Sequence, residues 1–221
     1  MPYLPPHDEV TDLAVLAPFV ARHPLAALVT HDGATPDVDL VPLLLLDDAD
    51  GRRLVGHVAR ANPLWRPGQQ EGPVMATFGP AEHYVSPTWY PSKAVDHRVV
   101  PTWNYLVVHG WGELVVHDDP RWVRGVLARL TTAMESGRER PWRMGMAPAD
   151  YLDARLGDVV GVEIPLTRLV GRFKVSAARS DADRLGAHDG IAGEGGGRAV
   201  EDLLAAMADP PQRAAAPRDD S

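Results

Sequence analysis

Two hydrophobic periods alternate along the chain. Leu13, Leu16, Phe19 and Val20 fall near one helical face that Thr11 can cap, which predicts a first helix over residues 11–22. From Leu25 onward the period shortens. Residues 25–30, 38–46 and 53–59 read as strands, punctuated by His31-Asp32-Gly33 and by Asp47-Asp48-Ala49-Asp50-Gly51, so they form two hairpins in a meander. Asn62-Pro63 is a helix start, with Asn as cap and Pro in the first helical position. Further strands are expected at 74–78, 99–109, 110–117, 159–166 and 169–175.

Asp119-Pro120 opens the clearest helix, where Val123, Val126, Leu127, Leu130 and Met134 keep helical spacing until Gly137. A short helix follows at 149–156, and residues 181–185 read as a helical turn. Residues 193–197 are glycine-rich and read as a flexible linker. Val200, Leu203, Leu204 and Met207 form one face of an amphipathic helix stopped by Pro210-Pro211, and the remainder reads as disordered. About eight strands with a few helices predict a mainly β protein with helices (α+β), a small closed or split β-barrel. The expected division is a barrel domain over 1–185 and a flexible acidic tail over 186–221 that carries the short amphipathic helix.

Composition narrows the chemistry. The 221 residues contain no cysteine, which removes disulfides, thiolate metal sites and thiol catalysis. The same absence, and an N-terminus without a basic and apolar leader, give the cytoplasm as the expected compartment. No apolar run approaches the roughly 18 residues of a membrane span. The formal charge is −8. Residues 181–221 hold nine acids and four bases, leaving −3 for the body, so nucleic acid is not the expected partner. No G-x-S-x-G elbow, phosphate-binding G-x-x-x-x-G-K-[ST] loop or H-E-x-x-H zinc motif occurs.

Four segments place polar and aromatic residues where a plain core would not. In the first, a strand delivers His57 and turns through Arg60 into the Asn62 cap, a junction suited to an anion such as a flavin phosphate or haem propionates. His57 shares a strand face with Val55 and Ala59, so it is expected to be desolvated, neutral and able to ligate a metal. A structural histidine bonded to backbone is the competing reading. In the second, Tyr84, Ser86, Thr88, Trp89 and Tyr90 precede Lys93 on a loop that can wall a flat conjugated ring or simply cover a barrel end. In the third, Trp103 and Tyr105 share one strand face with His109, a second candidate ligand, and Asn104 takes the other. In the fourth, Lys174 and Arg179 complete an anion pocket or mark a solvated strand end.

Met1-Pro2-Tyr3-Leu4-Pro5-Pro6-His7, Gly56-His57-Val58-Ala59-Arg60-Ala61-Asn62-Pro63, Tyr84-Val85-Ser86-Pro87-Thr88-Trp89-Tyr90 and Val100-Pro101-Thr102-Trp103-Asn104-Tyr105 together resemble the PaiB family over roughly residues 1–185. Members are labelled FMN-binding negative transcriptional regulators. The resemblance implies a split β-barrel of the FMN-binding, flavin-reductase-like type, usually a homodimer with ligands at the subunit interface. The chain departs from the family's G-x-x-K-L-S-Q-N-R pattern: it reads Gly171-Arg172-Phe173-Lys174-Val175-Ser176-Ala177-Ala178-Arg179, without the Gln-Asn pair.

The chain also resembles an enzymatic branch of that family, the piperazate synthases. These bind haem b and close N5-hydroxyornithine into a cyclic hydrazine with loss of water. On that branch His57 is the expected iron ligand and Arg60 the propionate partner. Trp89, Tyr90 and Trp103 line the macrocycle, and Tyr90, Lys93 and His109 are the candidates for acid and base. The alternative is an FMN site, with His57, Arg60 and Asn62 around the phosphate and Ser86 and the aromatics over the ring. An amino-acid substrate and a second copy of the chain are the expected partners.

Overall fold

A computed structural model describes residues 3–211. In chain order the elements are β1 Glu9–Val10, α1 Leu13–Arg22, β2 Leu25–His31, β3 Pro36–Asp48, β4 Gly51–Ala59, β5 Val74–Val85, β6 Thr102–Gly112, β7 Val115–His117, α2 Pro120–Glu135, α3 Ala149–Leu156, β8 Val159–Lys174, α4 Asp181–Glu194 and α5 Arg198–Ala208. The antiparallel path runs β1-β8-β4-β3-β2-β5-β6, with β7 on β8, and a further β8–β6 pairing links the path back on itself. This is the split β-barrel expected from the alternating pattern. The chain divides into two compact units.

One unit comprises residues 20–78 and 109–169. Its hairpins form where turn chemistry permits. Between β2 and β3 the Asp32 carboxylate accepts the N–H groups of Ala34 and Thr35. Between β3 and β4 the turn closes through Gly51 at φ 95°, a left-handed conformation that glycine adopts without steric cost. The first half of β3 pairs with β2 and the second half with β4, so one strand serves two ladders. Asp119 caps α2 by accepting the Arg121 N–H at 3.0 Å, and Pro120 fills the first helical position. The helix buries Val123, Val126 and Leu130, of which Val126 and Leu130 pack with Val55 of β4. Each such side chain contributes about 1.5–3 kcal/mol of burial before ordering costs.

The other unit comprises residues 3–19, 79–108 and 170–211 of the described chain. There β1 pairs with β8 through Glu9 opposite Arg172, and Phe19 meets Phe173 at 5.6 Å between ring centroids. The expected amphipathic helix is α5, and α4 precedes it, with non-helical residues 195–197 between the two. Ala187, Ile191, Leu203 and Met207 are fully buried. Asn104 of β6 donates to the Met207 sulfur at 3.5 Å and accepts from Ser176 at 3.0 Å. The disorder expected after Pro211 lies outside the described residues, as do Met1 and Pro2.

Three further elements differ from the pattern. β5 runs on through Val85, β8 is one strand of 16 residues where two were expected, and β6 passes through Gly110 without a break. Long strands shared between ladders blur the apolar and polar punctuation that marks ordinary strand ends. The helix expected at Asn62-Pro63 is a single 3₁₀ turn, Pro63–Trp65.

Candidate functional site

His57 is half-buried on β4, directly opposite Gly161 of β8. Burial lowers its pKa, so the imidazole is neutral. Its Nδ1 is buried and has no hydrogen-bond partner. That nitrogen is therefore not tied to a backbone carbonyl. The neighbouring row on the same face is dense. Gly161 also faces His117 of β7, and the Trp122 indole lies directly over it. A Cβ at Gly161 would lie 2.3 Å from that ring, so only glycine admits it. His117 stacks on Trp122 at 3.9 Å and 9°, and its Nε2 meets Glu163 at 2.6 Å. Arg53 holds the other oxygen of Glu163 at 3.3 Å.

Arg60 and Asn62 are placed differently from the expectation. The Arg60 guanidinium grips the Asp118 carboxylate with two nitrogens and donates through Nε to the Gly157 carbonyl at 2.6 Å. Asn62 accepts the Leu64 N–H at 2.8 Å as a cap and donates to Asp39 at 2.7 Å. Both are engaged by protein groups in this chain. Such exposed pairs are weak, but an incoming phosphate would compete with them.

His109 lies on the face of β6 expected for it, between Thr77, at 3.0 Å from Nδ1, and Trp111, at 5.7 Å. Burial, and then the charge of Arg168, depress its pKa. The depressed pKa of His109 has a direct consequence. The unfolded chain, with an ordinary value near 6.5, takes up a proton that the folded chain resists. Stability is therefore full above that value and falls as pH drops through about 6.5. Thermal melts between pH 8 and 5 should show this slope, and His109→Gln should reduce it, leaving the part that His57 contributes in the same direction.

The second, third and fourth segments lie in the other unit. Tyr90 is 2% exposed, with the Arg179 guanidinium 4.0 Å over its ring, and burial raises its pKa. Its hydroxyl is buried without a hydrogen-bond partner. Trp89 packs on Gly190 of α4, so a helix covers it where an open slot was expected. Ser86 caps the 3₁₀ turn Pro87–Trp89 by accepting the Thr88 N–H at 3.2 Å. Ser92 donates to the buried Asp183 from its N–H and its hydroxyl, at 3.0 and 2.7 Å. That tie holds the aromatic loop and Lys93, one residue on, against α4. Lys174 donates to Thr102 at 2.7 Å, and Trp103 is 52% exposed in an edge contact with Tyr84. The sequence reading missed Trp122, His117, Glu163 and Asp183. The available signal was Gly161 inside an apolar strand run, the mark of a close approach.

Among the described residues no helix is long and apolar enough to cross a membrane, and no cluster of three or more His, Cys, Asp or Glu could hold a free metal ion. The architecture is a split β-barrel with added helices. Two solved structures share it: the FAD and heme binding protein from Mycobacterium smegmatis (TM-score 0.54, 15% identity, 76% of this chain and 73% of that one) and the flavocytochrome Anf3 from Azotobacter vinelandii (0.53, 13%, 75% and 69%). Within that class the chain belongs to the family described as "Putative FMN-binding domain", whose model matches residues 2–168. It is 27% identical to the Protease synthase and sporulation protein PAI 2 of Bacillus subtilis, over 83% of this chain and 86% of that protein, which bears out the PaiB resemblance. An uncharacterized protein of Aspergillus fumigatus is 28% identical over 82% of this chain and 87% of its own length.

Proposed function

We propose that this protein is a haem-binding enzyme that closes an N-hydroxylated diamino acid through an N–N bond. His57 is the iron ligand. The carrying observation is its imidazole: neutral through burial, with Nδ1 enclosed and unpartnered, and Nε2 the nitrogen left to donate. The loss of the Gln-Asn pair at Ala177-Ala178 and the acidic body support the enzymatic branch over a DNA-binding regulator.

Haem held at His57 supplies Lewis acidity toward the oxygen of a hydroxylamine. The remainder of the reaction is balance and position. The α-amine nitrogen bonds to the hydroxylated nitrogen, the N–O bond breaks, and the hydroxyl leaves as water with a proton from the amine. No external oxidant or reductant is consumed. Holding both nitrogens of one chain in contact supplies much of the rate.

A second copy completes the site in this reading. Leu25, Val38 and Leu40 are 56%, 56% and 68% exposed on the outer face of β2 and β3. Leu25 pairs with Pro42, the neighbour of Leu43, which pairs with Gly56 next to His57. An apolar face bordering the ligand is the expected seat of a homodimer. The family model itself favours a second reading, an FMN-binding protein without this activity. The deciding experiment is one preparation examined three ways: visible spectrum, sedimentation, and mass of the product from N5-hydroxyornithine. A Soret band, a dimer and a product lighter by one water are expected. A flavin spectrum with unchanged substrate establishes the FMN reading instead.

A further inference from the structure

Four of the cavities among the described residues differ sharply in charge. Three have carboxylates in their walls: Asp32, Asp37 and Asp39 in one, Asp8, Glu9 and Asp181 in another, Glu135 in a third. The fourth, about 220 Å³ between β4 and α2, has none. Its walls include Arg53, Arg121 and Arg129 around an apolar floor of Leu46, Val55 and Trp122. In a chain of net charge −8 this is a local inversion.

The three arginines are not equivalent. Arg53 is committed to Asp48 at 2.6 Å and to Glu163. Among the described residues neither the Arg121 nor the Arg129 guanidinium makes an ion pair, although Arg129 lies within electrostatic reach of Asp48. Two guanidiniums are thus available to a ligand. The groove lies beside His57 in the fold. Val55 is two residues from His57 on the same face of β4, roughly 7 Å away. Trp122 forms part of the groove and also covers Gly161, the residue opposite His57.

We infer that the β4–α2 groove receives the anionic end of a flat, apolar ligand, with Arg121 and Arg129 binding its carboxylate or phosphate. The groove matches such a ligand in both halves: an indole and aliphatic wall for the ring body, and forked cations for the anion. This rests on the reading of His57 as the centre of a cofactor site and supplies what Arg60, already bound to Asp118, does not. The groove distinguishes an anionic ring from a neutral one, and porphyrin carboxylates and a flavin phosphate both satisfy it.

The test compares wild type, Arg121→Ala/Arg129→Ala and Arg121→Lys/Arg129→Lys. Both positions are exposed, and matched circular dichroism and melting confirm that the variants fold. The first probe is 8-anilinonaphthalene-1-sulfonate, a flat apolar anion that needs no iron ligand. Its Kd should rise about tenfold or more in the alanine variant at low salt, the loss of roughly one charge-assisted contact, and largely recover in the lysine variant. Hemin against its dimethyl ester, and FMN against riboflavin, then separate the two sources. The variant should weaken only the charged member of the pair that the site takes.

Equal binding of the sulfonate by wild type and alanine variant, or none by wild type, overturns the inference. Arginine-dependent hemin binding with a spectrum unchanged in His57→Ala would instead leave the groove standing and remove the iron-ligation reading.

Discussion

His57→Ala loses axial ligation: hemin added to the variant gives the spectrum of weakly held porphyrin, and affinity falls at least about tenfold, roughly 1.4 kcal/mol. The expectation follows from the side chain's surroundings. A metal-ligating imidazole normally has its second nitrogen fixed by an acceptor. Here the second nitrogen, Nδ1, is buried without one, and packing against the β4 face is what holds the ring. The ligand is therefore neutral rather than imidazolate-like, and added imidazole should restore the spectrum by filling the space left by the side chain. An unchanged Soret band in His57→Ala would remove the haem reading and leave the fold. The substitution leaves folding largely intact, because His57 is half-buried and makes no hydrogen bond that the change would orphan.

The two kinds of information in the sequence differ in reach. Period-two alternation along 102–112 assigned Trp103, Tyr105 and His109 to one face and Asn104 to the other, and the burial pattern of β6 reproduces it. The caps at Asn62 and Asp119 were legible because a side-chain acceptor followed by proline is a local device. Partnership across the chain was not legible. Arg60 looked like an anion donor because nothing within ten residues competes for it; its partner Asp118 is 58 residues away. Tyr90 reads as a slot wall in the sequence, but Arg179, 89 residues on, lies over its ring. At Gly190 of α4 the missing side chain makes room for Trp89, a fit that no local pattern signals. In each case the deciding contact joins segments that only the fold brings together.

That distinction is tested most directly by two identical substitutions with opposite outcomes. Gly112 ends β6, and a Cβ there would lie 2.0 Å from the Pro165 carbonyl oxygen and 2.9 Å from Ile164 Cγ2. The first obstacle is backbone of β8 and cannot rotate away, so β6 and β8 must separate locally. Gly112→Ala should therefore cost about 3 kcal/mol, at the upper end of overpacking penalties. Gly125 stands inside α2, with nothing within 4 Å of its would-be Cβ. There the alanine removes backbone entropy from the unfolded chain and adds helix propensity, so Gly125→Ala should stabilise by about 0.5–1 kcal/mol. For a chain of this size the melting temperature should fall by roughly 6–12 °C in the first variant and rise by about 1–4 °C in the second. A Gly112→Ala protein that melts with the wild type would mean that β6 and β8 do not approach as closely as described. The β6–β8 pairing that links the strand path back on itself would then lose its tightest contact.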